Sequence, residues 1–144
     1  MMATKPLIVL PFLLFISGLF LLTLFPLHSG YSQNIEGEVS IEIRDSTFIF
    51  KGGALRPGEQ NLIMLNNQDT VRHGFTSEIL RQIEVEVEGE FGDTYGKGIR
   101  GVHINPGETL EIRLIPVVPG KMSFRCDLHP EMKGELLVLS IGAV

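Results

Sequence analysis

The chain has 144 residues, 44% of them apolar, with 12 Lys and Arg against 17 Asp and Glu and a formal net charge of −5. Once an apolar leader is set aside, this is enough chain for one small domain with one core. The acidic balance argues against nucleic-acid binding, which depends on Lys and Arg displacing counterions from phosphates, and it favours a basic protein partner.

From Leu7 to Leu27 no residue is charged, and Lys5 is the one charged side chain before the run. A run of 21 residues is longer than the usual secretory apolar region of about 7–15 and matches the roughly 20 needed to span a bilayer, which favours an anchor. Pro11 and Pro26 weaken a straight helix, however, and Ser29, Gly30 and Ser32 supply small residues for cleavage. Residues 1–32 are therefore read as a signal peptide or an N-terminal membrane anchor forming one hydrophobic helix, and residues 33–144 as the functional domain. Positive charge ahead of the segment places that domain outside the cytoplasm, in the periplasm or on the outer face of the membrane.

Beyond the leader, Glu38 to Ile43 alternates polar and apolar residues, the pattern of a half-buried strand. Thr47 to Phe50 and Asn61 to Leu65 read as further strands, divided by Gly52-Gly53 and Arg56-Pro57-Gly58-Glu59. After the polar loop Asn66 to Thr70, the period of two puts Val71, His73 and Phe75 on one face.

Residues 77–101 are an insertion in which Ile83, Val85 and Val87 alternate with Glu84, Glu86, Glu88 and Glu90. This predicts an added edge strand whose acidic face discourages edge-to-edge pairing or docks a basic partner. The glycines at 89, 92, 96, 98 and 101 predict a turned return. Val102 to Ile104, Thr109 to Ile115 and Lys121 to Cys126 follow as strands, with Met122, Phe124 and Cys126 on one face. Glu135 to Ile141 is an apolar run that fits a closing strand buried on both sides. Seven or eight strands with Pro and Gly turns predict an all-β, antiparallel sandwich or barrel. No internal repeat is present.

Cys126 is the only cysteine, so it has no disulfide partner within the chain. It opens Cys126-Asp127-Leu128-His129-Pro130-Glu131-Met132, which places a thiolate, an imidazole and a thioether at C-x2-H-x2-M spacing. Soft sulfur with imidazole suits copper, and a blue-copper site takes two His and one Cys with a weak axial Met. His73 is the candidate second histidine. Met132 is the axial candidate, with Glu131, a backbone oxygen or water as its competitors. His103 reads as structural or exposed, and His28 belongs to the leader.

These residues resemble the cupredoxin family over roughly Val39 to Ser140. The segment Phe124 to Met132 is similar to the compact ligand loop of amicyanin, and Asn67-Gln68-Asp69 followed by Val71-Arg72-His73 resembles the family's loop before its first ligand histidine. The resemblance implies a Greek-key sandwich in which His73, Cys126 and His129 are strong ligands and Met132 is axial, holding one copper ion. Two positions depart from the small blue proteins: Gly74 stands where they usually carry Asn, and Glu131 is charged. His73-Gly74-Phe75 instead resembles the copper domains of cytochrome oxidase subunit II and nitrous-oxide reductase, whose binuclear sites require two cysteines.

The expected function is single-electron transfer by Cu(I)/Cu(II) cycling outside the cytoplasm, with no enzymatic activity of its own. A basic cytochrome or oxidase is the expected partner, and the leader would attach the domain to the membrane if uncleaved. Copper storage or delivery would use the same four residues. A cysteine hydrolase built on Cys126 and His129 lacks an evident orienting group, and structural zinc sites favour more cysteines and no methionine.

Overall fold

The computed structural model describes residues 37–90, 94–140 and 142. The leader, its expected helix and the linker after it lie outside the described residues. Among the described residues no helix is long and apolar enough to cross a membrane.

Ten strands form two sheets. They are β1 (Gly37–Arg44), β2 (Thr47–Gly52), β3 (Asn61–Asn67), β4 (His73–Ser77), β5 (Glu84–Glu88), β6 (Thr94–Lys97), β7 (Gly101–Ile104), β8 (Thr109–Leu114), β9 (Gly120–Arg125) and β10 (Lys133–Val138). One sheet has the order β2-β1-β3-β8-β5-β6 and the other β10-β9-β4-β7. The all-β expectation holds, with more strands than the seven or eight expected because the insertion contributes two. Nor is the sandwich wholly antiparallel, since β1 runs parallel to β3. Alternation within a strand shows which face is buried and says nothing of a neighbour's direction.

The period of two sets the core. Val39, Ile41 and Ile43 of β1, Ile63 and Leu65 of β3, and Leu110, Ile112 and Leu114 of β8 are buried. They join Phe75 of β4, Phe124 of β9, and Leu136 and Val138 of β10 in one apolar cluster. The Phe124 ring meets Phe48 edge-on at a centroid distance of 5.0 Å and lies 4.9 Å from Phe75, so the strand that leads into Cys126 is anchored in the core.

Three expected details change. Val71 is 46% exposed and precedes β4, so His73 shares its inward face with Phe75 and Ser77. Strand β5 is not an edge, because β8 pairs with one side and β6 with the other. Glu88 and Glu111 stand opposite each other there, and the Arg113 guanidinium reaches both, at 2.5 and 2.6 Å. Strand β10 alternates instead of being buried on both sides: Leu136 and Val138 face the core while Leu137 is 47% exposed. A leucine-rich run therefore does not by itself indicate two covered faces.

The hairpin between β1 and β2 turns through Asp45 and Ser46, both at φ 52°. Non-glycine residues seldom adopt this left-handed region. Here the Asp69 carboxylate accepts the backbone N–H of both, at 2.7 and 2.9 Å. The same side chain reaches the candidate site.

Candidate metal centre

His73 opens β4, and Cys126 directly follows β9 in the same sheet. The antiparallel pairing of Thr76 with Arg125 and Ser77 with Phe124 brings the two strands side by side, so residues 53 positions apart meet. Cys126 Sγ lies 4.0 Å from His73 Nδ1 and 3.5 Å from His129 Nδ1. The three donor atoms all fall within 4.8 Å of one another. His73 and Cys126 are fully buried, and His129 is half-buried.

Backbone bonds shape the connecting loop. The Cys126 N–H donates to Met132 O and the Met132 N–H to His129 O, both at 3.0 Å. The seven residues thereby close on themselves, and Met132 is buried in the same core cluster as Cys126. His103 is exposed and is not one of the clustered donors.

The donor set fits a soft or borderline metal ion. Two nitrogens and a sulfur bonded to one ion at about 2.0–2.3 Å stand roughly 3.5–4 Å apart, which is the spacing between Sγ and each imidazole. A sulfur with two imidazoles, on a loop that ends in a thioether residue, suits copper better than zinc or magnesium. The Gly74 N–H donates to Sγ at 3.1 Å, which helps to fix the position of the sulfur.

The same two-sheet arrangement recurs in solved structures. Copper nitrite reductase from Nitrosomonas europaea matches over 76% of this chain and 50% of its own, with 15% identity and a TM-score of 0.53. The McoA multicopper oxidase from Aquifex aeolicus matches over 72% of this chain and 29% of its own, with 16% identity and a TM-score of 0.51. A multicopper oxidase from Campylobacter jejuni matches over 71% and 29%, with 14% identity and a TM-score of 0.50.

The chain has the cupredoxin fold.

It spans half or less of the length of these three proteins. No family model and no curated protein matches the sequence.

Within this fold, two features of the site were not read from the sequence. The first is Asp69, whose Oδ2 lies 2.8 Å from His73 Nε2. Burial pushes its carboxyl pKa up, but the N–H groups of Ser46 and Asp45 and the His73 ring outweigh this, and the net shift is downward. An ionised carboxylate only accepts, so Nε2 carries the ring proton and Nδ1 is left with its lone pair toward Cys126. The loop that presents Asp69 is pinned by buried Asn67. Its Nδ2 donates to the carbonyls of Val71, Ile104 and Asn105 at 2.9 to 3.2 Å, and its Oδ1 accepts the Asp69 N–H at 3.0 Å. A short-range signal for both residues existed in Asn67-Gln68-Asp69, four positions before the histidine.

The second feature is the space at Gly74. A Cβ there would fall 1.8 Å from Asp127 Oδ1 and 3.2 Å from His103 Cδ2. Asp127 Oδ2 meets His103 Nε2 at 2.9 Å. Glycine at this departure from the small blue proteins thus gives a residue of the ligand loop room to bond across to β7.

Asp69→Asn is expected to destabilise the metal-free protein by about 1.5–3 kcal/mol at pH 7, since hydrogen bonds to a charged acceptor are lost. A carboxylate whose folded pKa is depressed contributes stability that is present above its unfolded value of about 3.9 and lost as pH falls through the folded value. The gap between wild type and variant in urea unfolding should therefore be full at pH 7 and close below about pH 4. A gap that stayed constant down to pH 2 would show that the carboxylate charge is not what holds the hairpin and His73.

Proposed function

We propose that this cupredoxin is a mononuclear type 1 (blue) copper protein that relays single electrons outside the cytoplasm. The observation that carries the reading is the convergence of His73 Nδ1, Cys126 Sγ and His129 Nδ1 within 4.8 Å. His73, Cys126 and His129 would hold one copper ion, with Met132 in the axial position. Copper bound there supplies a one-electron couple between Cu(I) and Cu(II). The chain's part is to keep the donors in place: β4 and β9 are paired strands, Asp69 orients one imidazole, and the loop's own hydrogen bonds hold His129 near Cys126. Donors held this firmly suit a centre that changes charge without changing its ligands, since outer bonds of this kind orient the ligands and tune the metal.

Burial supports a carrier over an enzyme. His73, Cys126 and Met132 are closed off, and only His129 reaches halfway to the surface. Four protein donors leave no position for substrate, which metal-assisted catalysis requires. The half-exposed imidazole edge is then the route by which an electron reaches a protein partner.

The test is a Cu(II) titration of the full-length chain followed by optical and electron-paramagnetic-resonance spectroscopy. An intense visible band with narrow hyperfine splitting, reversible through reduction and reoxidation, is the expected result. Met132→Leu should then move the potential more than it changes copper affinity, because the axial ligand tunes the potential. A tetragonal copper spectrum, or tight Cu(I) capture without reversible cycling, would reject the carrier and assign the same donors to copper storage or delivery.

A further inference from the structure

The acidic chain carries one groove of the opposite sign. It has a volume of about 530 Å³ and runs across the outer side of the four-stranded sheet, where Arg81, Arg100, Arg125 and Lys133 line it. Its floor is formed by β4 and β9, with Thr76 Oγ1 donating to Arg125 O at 3.0 Å. At one end lies Asp127, in the ligand loop itself.

The carboxylates around this groove already have partners. Glu78 pairs with Arg81 at 3.3 Å, Asp127 with His103 at 2.9 Å, and Glu135, on β10, with Lys121 at 3.1 Å. Among the described residues no carboxylate forms an ion pair with Arg100, Arg125 or Lys133. Moreover, Arg125 and Lys133 stand directly opposite in the β9–β10 pairing. Like charges at such positions destabilise a sheet. The other like pair among the described strand pairings, Glu88 with Glu111, has Arg113 between its members. Among the described residues neither member of this cationic pair has an ion-pair partner of its own; Asp127, which feels the Arg125 charge, is already held by His103 at 2.9 Å.

We infer that this groove binds a carboxylate-rich segment of a protein partner; that the partner is the redox partner rests on the electron-carrier reading above. The spread of the charges selects this occupant. Lys133 on β10, Arg125 on β9 and Arg100 just before β7 are separated by three strand spacings, about 14 Å of backbone in all. A compact anion cannot match that row. An extended acidic segment places like-facing side chains about 6.6–6.8 Å apart and does match it. The net charge of −5 then sets orientation, because the rest of the surface repels an acidic partner and this face attracts it. Arg125 is bonded to Cys126 in the chain, so a segment held here lies beside the thiolate ligand. Net charge taken alone pointed to a basic partner, whereas this face selects a carboxylate-bearing one.

The experiment uses the copper-loaded full-length chain in neutral detergent and a labelled hexaglutamate peptide, with binding read by fluorescence anisotropy. Binding at low ionic strength that weakens with added salt is expected. Arg125→Gln combined with Lys133→Gln should lower the affinity about 10-fold or more, the effect of removing close charge pairs. Lys51→Gln, on the other sheet beside Glu42, should leave it unchanged. In urea unfolding, Lys133→Gln should be as stable as wild type or more so, since a like-charge contact is removed.

Equal binding by the double variant and wild type would overturn the proposal, as would a loss of stability in Lys133→Gln, which would make the pair structural. Inorganic pyrophosphate binding tighter than hexaglutamate would assign the groove to a compact anion and overturn the extended segment. Repeating the measurement on metal-free protein separates the two readings. Peptide binding by a chain that fails to cycle copper keeps the groove and rejects the carrier; reversible cycling without peptide binding does the reverse.

Discussion

Cys126→Ser is expected to abolish the intense visible band of the copper-loaded protein. That band requires a thiolate donor, and Cys126 is the only cysteine in the chain. The substitution leaves His73 Nδ1 and His129 Nδ1 in place, as well as the Gly74 N–H that now meets sulfur at 3.1 Å. A hydroxyl can still accept that N–H, so the fold should survive. The metal affinity should not, because a neutral hydroxyl is a hard, weak donor where copper favours soft sulfur. Removing an outer-shell partner typically costs about 10–100-fold in metal affinity, and loss of the thiolate itself should exceed that. The check is a paired titration of wild type and Cys126→Ser with Cu(II), read in the visible region and by competition with a chelator. A variant that kept the band would show that the chromophore is not the thiolate.

Phe124→Ala should produce the largest loss of stability. The ring is 2% exposed and contacts Phe48, Phe50 and Phe75 at centroid distances of 5.0, 5.5 and 4.9 Å. On the neighbouring strand the ring covers Gly134, where a Cβ would fall 2.4 Å from Phe124 Cζ. Glycine at that register position is what lets the ring lie across the sheet. Truncation to Ala removes the ring and leaves a cavity that β9 and β10 cannot close without moving, and such changes cost about 3–5 kcal/mol. A domain of this size is stable by only about 5–15 kcal/mol, so the variant should show a large fall in the urea midpoint. Because Cys126 lies two residues further along, its copper spectrum should broaden as well. A loss below about 1 kcal/mol would mean that the cluster repacks freely, contrary to the close packing of protein interiors.

Some of this was legible before any coordinates. Strands β1, β8 and β9 follow from alternation, because the side-chain period is two, and β3 from the turn residues before it. Cys126 and His129 were legible as a pair because they are neighbours in the chain, and a cysteine with no disulfide partner within the chain demands a use. His73 was legible by elimination and by the polar loop before it. The misreadings share one cause, which is that sequence pattern is local. Val71 fits the period of two with His73 and Phe75 but lies before the strand begins. Leu137 fits an apolar run but faces outward. The glutamates of β5 suggested an edge strand, yet β6 covers that edge.

The sequence by itself determined the donor chemistry: one thiolate, its imidazole and thioether neighbours, and strands stiff enough to carry them. Only the tertiary structure decided which groups act on those donors. Asp69 reaches both a hairpin 23 or 24 positions away and the ring of His73; Asp127 crosses to His103 through the space at Gly74; and Arg125 comes to face Lys133 across the β9–β10 pairing. Each is a meeting of residues on different strands, and its position depends on sheet order and register, which no local pattern encodes.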